Sequence, residues 1–301
     1  MLRLALAAAL LATLQSSLPS GAAAFLPWGK GGPRTVNAIE FAPDGNSMIV
    51  ALFVAEVAKM EGRPVPPDAP DIALYESRRE DGRWSAPRLL PFAGTHKDYE
   101  GTLSPDGSTM VFNSWRPLPD GRAVTNQKNN LWMVRRESSG WSAPIYLAAI
   151  NRFDTEESYA AIGPGGRMVF LSEAPADAHG PDYNLYATRI VGNRVDAAVP
   201  FGPAATAAGE GDPWYARDGS YVIFTRWDRA KKWEEDADLY ITFDRNGRWT
   251  EPVRLSISDP GGPDYAVSIA GNPEVIYWKR RGGTFQAPWA PVLADARARA
   301  R

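Results

Sequence analysis

The 301-residue chain has no cysteine and only two histidines, His96 and His179. The first absence excludes a disulfide framework and a lipid anchored through a lipobox cysteine. Together they argue against a zinc or copper centre, and no resident metal or cofactor is expected. There is no glycine-rich phosphate loop, no dinucleotide fingerprint and no Gly-x-Ser-x-Gly elbow. A net charge of -2 gives no electrostatic reason to bind nucleic acid or an anionic membrane surface. Apolar runs are short everywhere except Leu4 to Leu14, which is itself too short to span a bilayer, so membrane insertion is not expected.

That one run has an addressing pattern. Arg3 precedes it and Ala22-Ala23-Ala24 follows it, as in a cleavable export signal. Residues 1–24 are therefore predicted to be a leader, with a periplasmic or secreted mature chain beginning near Phe25. The basic end, residues 295–301, is predicted to be a short frayed tail after a single domain over 25–294.

Within that domain a unit repeats. Phe41-Ala-Pro-Asp-Gly45 before Met48-Ile-Val returns as Leu103-Ser-Pro-Asp-Gly107 before Met110-Val-Phe, then as Ile162-Gly-Pro-Gly-Gly166 before Met168-Val-Phe. Tyr215-Ala-Arg-Asp-Gly219 is a fourth copy and Ile269-Ala-Gly-Asn272 a degraded fifth. The marker positions Pro43, Pro105, Pro164, Arg217 and Gly271 are 62, 59, 53 and 54 residues apart. The second halves also recur: Leu74-Tyr75, Leu131-Trp132, Leu185-Tyr186 and Leu239-Tyr240. Three of these lead to Gly-Arg-Trp84-Ser-Ala-Pro87, Gly-Trp141-Ser-Ala-Pro144 and Gly-Arg-Trp249-Thr-Glu-Pro252. β-branched and aromatic runs separated by tight-turn residues predict two hairpins per unit.

A period above fifty residues with two hairpins per repeat predicts an all-β propeller of four-stranded antiparallel blades. Five blades are favoured, and six are left open by the degraded last unit. The motifs resemble the WD40-like repeat of TolB-type propellers, called PD40, across almost all of the chain after the leader. That resemblance implies a propeller used as a binding or scaffold module. Ring closure has a candidate in Phe25-Leu26-Pro27-Trp28-Gly29, which is similar to Leu89-Leu90-Pro91-Phe92-Ala93 and is expected to serve as an outer strand.

In such a blade the four-residue turns share one face. The long connections, Glu56 to Asp71, Arg116 to Asn129, Glu173 to Tyr183 and Arg226 to Ala237, share the other, where binding residues are usually carried. Seven residues before the last four markers stand Asp98, Glu157, Glu210 and Asp264, with Glu100 and Asp212 two residues further on. Strand alternation predicts that all six point the same way, toward the channel mouth. Arg116, Arg226 and Trp227 flank them at strand ends. This set is the predicted ligand site, for a small polar ligand, a glycan or a protein partner. The alternatives are that the acids cap backbone N-H groups, or that two of them catalyse glycoside hydrolysis.

Overall fold

The computed structural model describes residues 22–29, 32–33, 36–124, 128–152, 155–173, 183–259, 262–281 and 283–300. The leader up to residue 21 and His179 lie outside the described residues. The chain first forms a short strand, β1 (Ala23–Ala24). The first blade follows with β2 (Val36–Phe41), β3 (Ser47–Phe53), β4 (Ile72–Glu80) and an outer strand in two pieces, β5 (Arg83–Trp84) and β6 (Arg88–Leu89). The second repeats the plan with β7 (Asp98–Leu103), β8 (Thr109–Ser114), β9 (Asn130–Glu137), β10 (Gly140–Trp141) and β11 (Ile145–Tyr146). The third has β12 (Glu157–Ile162), β13 (Arg167–Ser172), β14 (Asn184–Val191), β15 (Arg194–Val195) and β16 (Val199–Pro200). The fourth has β17 (Gly209–Tyr215), β18 (Tyr221–Trp227), β19 (Asp238–Arg245), β20 (Arg248–Trp249) and β21 (Val253–Arg254). The last blade is β22 (Tyr265–Ala270), β23 (Val275–Arg280) and β24 (Gly283–Pro288), with β1 as its outermost strand.

The first strands β2, β7, β12, β17 and β22 touch in succession, and β22 returns to β2, so they ring a central channel. Five blades of antiparallel sheet therefore close the circle. The Leu-Tyr and Leu-Trp pairs occupy β4, β9, β14 and β19, the equivalent third strands, as their phase predicted.

The repeat motifs have local reasons. In the Asp-Gly turns, Asp44, Asp106 and Asp218 each accept the backbone N-H two residues on, at 2.9, 3.0 and 2.9 Å. Gly45, Gly107 and Gly219 take the left-handed conformation that the turn requires. At the blade rim, Pro87, Pro144 and Pro252 cannot donate to the ladder, and the outer strand breaks around them. The preceding hydroxyl fills the gap: Ser85, Ser142 and Thr250 each accept a third-strand N-H at 3.0 to 3.1 Å.

Middle strands are buried on both faces because each side meets a neighbouring blade. In β3, Ile49 and Ala51 pack with Met110 and Phe112 of the second blade. Met48, Val50 and Leu52 pack with Tyr75 and, at the seam with the last blade, Tyr277. Each such Leu, Ile or Phe contributes roughly 1.5–3 kcal/mol of burial.

Closure differs from expectation in its residues. Ala23 and Ala24 make the pairing, opposite Gln286 and Phe285, and the Phe25 N-H adds a bond to Thr284 O at 2.9 Å. Phe25 and Trp28 instead pin the seam: the Phe25 ring lies 4.8 Å from Tyr277, and Trp28 Nε1 donates to Ser85 O at 2.8 Å. The predicted leader boundary thus falls inside the closing contact. The tail also differs. Residues 289–299 form a helix, α3, introduced after two shorter ones, α1 (Val54–Glu61) and α2 (Trp233–Asp236), which lie in the first and fourth long connections. In α3 (Trp289–Arg299) the Trp289, Val292 and Ala296 side chains bury against the fourth and fifth blades, so Arg297 and Arg299 belong to the last turn of a packed helix and not to a frayed arm. No helix among the described residues is long and apolar enough to cross a membrane.

Candidate functional site

The four recurrent acids do not meet in the channel. Each is fully buried and is engaged within its own blade. Asp98 receives both oxygens' worth of bonding from Arg116 Nη2 (2.9 and 2.8 Å) and a 2.6 Å bond from Ser114 Oγ. Glu157 accepts from Arg152 N-H, Thr155 and Ser172 at 2.9, 2.7 and 3.0 Å. Glu210 takes the Thr206 hydroxyl and ion-pairs with Arg226 Nε at 3.2 Å. Asp264 accepts from Asp259 N-H (2.7 Å), Trp278 Nε1 (3.1 Å) and Arg280 Nε (2.7 Å). The first blade, which has Val36 in place of the acid, receives the Lys279 ammonium on the Val36 carbonyl. These acids clamp the link that enters each inner strand, with Arg116 stacked 5.3 Å over Phe112 and Arg226 5.1 Å over Tyr240.

Glu100 and Asp212 part company with them because alternation is interrupted. Every inner strand carries one extra residue opposite its partner, between Tyr99 and Thr102, Ser158 and Ala161, Gly211 and Trp214, Tyr265 and Ser268, and at Asn37 in the first. Such bulges re-aim a side chain and break the two-residue period. Glu100, Tyr159, Asp212 and Ala266, each five residues before its marker, sit there with φ of 53°, 50°, 44° and 50°. L-residues adopt that conformation at a cost on the order of 1–2 kcal/mol each. The expectation that Asp98 and Glu100 share a direction fails for this reason.

Above the bulges a cleft of ≈ 710 Å³ opens on the long-loop face. The second blade supplies Tyr99 and Trp115 to its wall, the third Tyr159 and Tyr183, the fourth Trp227 and Trp233, and the fifth Tyr265. Glu100, Asp212 and Glu156 are its acids and Lys128 its base. Lys128 is paired with Glu173. A smaller space of ≈ 50 Å³ adjoins it around Glu40, Glu100, Asp212 and Trp214.

Loss of solvent at the base of the cleft disfavours charge on Glu100, Asp212 and Glu40. Burial pushes Asp212 up to about 7. Glu100 is held well above the usual carboxylate range by burial and then by the nearby Asp212 charge, with Lys279 opposing. Glu40 is raised to about 7 by burial against the pull of Arg217. A group of such carboxyls can hold a proton near neutrality, attract a cation or exchange protons with a ligand.

Of the predicted site residues, then, Glu100, Asp212 and Trp227 come together at the cleft. Asp98, Glu157, Glu210, Asp264, Arg116 and Arg226 stand behind it as clamps. Tyr159 was missed although it is in phase with Glu100 and Asp212, because attention to acids alone hid the position. Glu156, Asn37 and Trp233 carry no repeat signal. Trp278 packs in the core against Phe285.

Ring, bulges and cleft define a five-bladed propeller with a pocket over its channel. No family model and no curated protein sequence matches the chain. Solved structures do. A protein of unknown function from Dyadobacter fermentans superposes with a TM-score of 0.50 at 14% identity, over 86% of this chain and 78% of that one. TolB from Acinetobacter baumannii gives 0.45 at 13% identity, over 85% and 54%, so the chain spans about half the length of that protein. A gluconolactonase from Xanthomonas campestris gives 0.45 at 9%, over 86% and 87%. At these identities the likeness extends to the propeller fold alone.

Proposed function

We propose that the chain is an exported, TolB-like propeller that works as a binding module, holding a small polar ligand in the cleft over its channel. The observation that carries this is the concentration of strained, re-aimed side chains, aromatic walls and half-buried carboxyls in one ≈ 710 Å³ space on the long-loop face. A space of that size is that of a small-molecule site, and its wall combines aromatic rings with polar side chains. Export rests on the leader pattern around Leu4 to Leu14, and the PD40 assignment on the in-phase turn, Leu-Tyr and Gly-Trp motifs.

A glycan or a short peptide from a protein partner is the alternative occupant of the same cleft. Glycoside hydrolysis is a second reading, favoured by one observation: Glu100 and Asp212 are close enough for each other's charge to matter, and a general acid needs a raised pKa. One experiment addresses both. Glu100→Gln with Asp212→Asn is expected to abolish ligand-induced thermal shifts across a panel of amines, sugars and peptides while the unliganded protein melts at the same temperature or higher. Retained shifts in the double variant remove the cleft from consideration. Turnover of chromogenic glycosides by the parent and not by the variant replaces the binding module with the hydrolase.

A further inference from the structure

Several hydrogen-bond donors of the cleft wall are turned on the wall itself. Asn37 Nδ2 donates to Glu100 at 2.8 Å and Asn129 Nδ2 to Glu156 at 2.6 Å. Trp115 Nε1 and the Tyr99 hydroxyl both donate to Asn129 Oδ1 at 2.8 Å. Lys128 is held by Glu173, and Lys279 by the Val36 carbonyl. Left toward the ligand space are the Glu100 and Asp212 carboxyls, the ring faces, and the phenol and indole groups of Tyr159, Tyr265, Trp227 and Trp233. Asp212 makes no hydrogen bond or ion pair among the described residues, and Glu100 has a single bond, from Asn37. Thr225, paired with Gly211 and 1% exposed, lines the same wall with a hydroxyl that has no partner among the described residues.

A neutral sugar demands donors and acceptors alternately around its ring, because each hydroxyl both gives and takes. This wall carries both kinds of group, so a neutral sugar is the competing ligand. A hard metal cation demands six or more oxygen ligands, or at least a tight set of them. Among the described residues no group of three or more His, Cys, Asp or Glu is placed to hold a metal ion. An organic ammonium asks for neither. It needs negative charge nearby and ring faces within about 6 Å, where the quadrupole attracts it.

We infer that the cleft selects a small organic cation, an ammonium group on a compact apolar or hydroxylated body. The cation lies over Glu100 and Asp212 and the body among the rings of Tyr159, Trp227 and Tyr265. This deepens the binding reading above and rests on it.

A consequence is coupling to pH. The phenols facing the acids are Tyr99, Tyr159 and Tyr265; burial raises all three, Tyr265 to about 12, so they stay neutral near pH 7. Lys279 is pushed down by burial and, among the described residues, is the cation whose charge Glu100 feels. Glu40 lies below, and Glu156 and Lys128 are each held by neighbours. A bound cation stabilises the ionised carboxylates, so binding releases protons and tightens as pH rises through about 7.

The test is calorimetric titration at pH 6 and pH 8 with choline, putrescine, the neutral carbon isostere of choline, and glucose. The expected result is a cation bound at least about tenfold more tightly than the isostere, with a further gain at pH 8. Heats at pH 6 should depend on the ionisation enthalpy of the buffer, as proton release demands. Glu100→Gln with Asp212→Asn should erase the preference. Equal binding of choline and its isostere, or tighter binding of glucose, overturns the cation inference and leaves the cleft a binding site. No heat from any probe at millimolar concentration overturns both.

Discussion

Two aspartates on equivalent inner strands, two places apart in the repeat, illustrate how opposite the roles of like residues are here. Asp98 is clamped by Arg116 and Ser114 with no exposed surface, so removing its counter-ion strands a charge in the interior. Arg116→Met is expected to cost about 3–5 kcal/mol in urea-induced unfolding, and a loss below about 1 kcal/mol would show the clamp to be dispensable. Asp212 behaves in the other direction. Its folded pKa of about 7 exceeds the 3.8 of an exposed aspartate, so the native state keeps a proton that the unfolded chain has released. Stability from this group is fully present below about pH 4 and is lost as pH rises to about 7, by up to roughly 1.4 kcal/mol per pH unit. Asp212→Asn is therefore expected to melt higher than the parent at pH 8 and to show a shallower decline between pH 5 and pH 8. Parallel declines in the two proteins would place the pH-sensitive group elsewhere. Asp98 and Asp212 are both acids in phase with the repeat, so composition could not separate a clamp from a channel group. The extra residue in each inner strand separates them, and bulges leave no mark in hydrophobic alternation.

At the level of strands and turns, the sequence was most legible where a backbone demand has a single chemical answer. Asp-Gly fixes the first turn, and Trp-Ser/Thr-x-Pro breaks the outer strand while its hydroxyl restores the lost acceptor. The Leu-Tyr pairs marked third strands because both faces of those strands are buried. Legibility failed at β24, which takes the third place in its blade with Phe285 and Ala287 buried and no Leu-Tyr signature. It failed again at α3, whose apolar stripe of Trp289, Val292 and Ala296 is diluted by alanine and arginine. The closing strand gives a prediction of its own. A chain starting at Phe25 keeps the Phe25 to Thr284 bond but lacks the Ala23 and Ala24 pairing, whereas a chain starting at Ala22 keeps both. The shorter form is expected to melt several degrees lower by circular dichroism, since a loss of about 1 kcal/mol moves a midpoint by a few degrees. Identical melting would mean that Phe25 and Trp28 hold the seam unaided.

Across the whole molecule, five similar sheets produce a ring whose blades differ little in their cores and strongly at one position each. The bulge residues are Glu100, Tyr159, Asp212 and Ala266, with Asn37 marking the offset in the first blade. The extra residue takes these side chains out of step with both faces of their sheets, although Tyr159 still packs against the core between the third and fourth blades. Packing requirements and ligand requirements are thereby assigned largely to different letters of the same repeat. The channel mouth is in effect a five-digit register whose digits, Tyr159 excepted, can be rewritten one at a time, by mutation or by design, without renegotiating the interior of any blade. Ala266, the smallest digit, is the vacant one at which a new chemical preference can be entered.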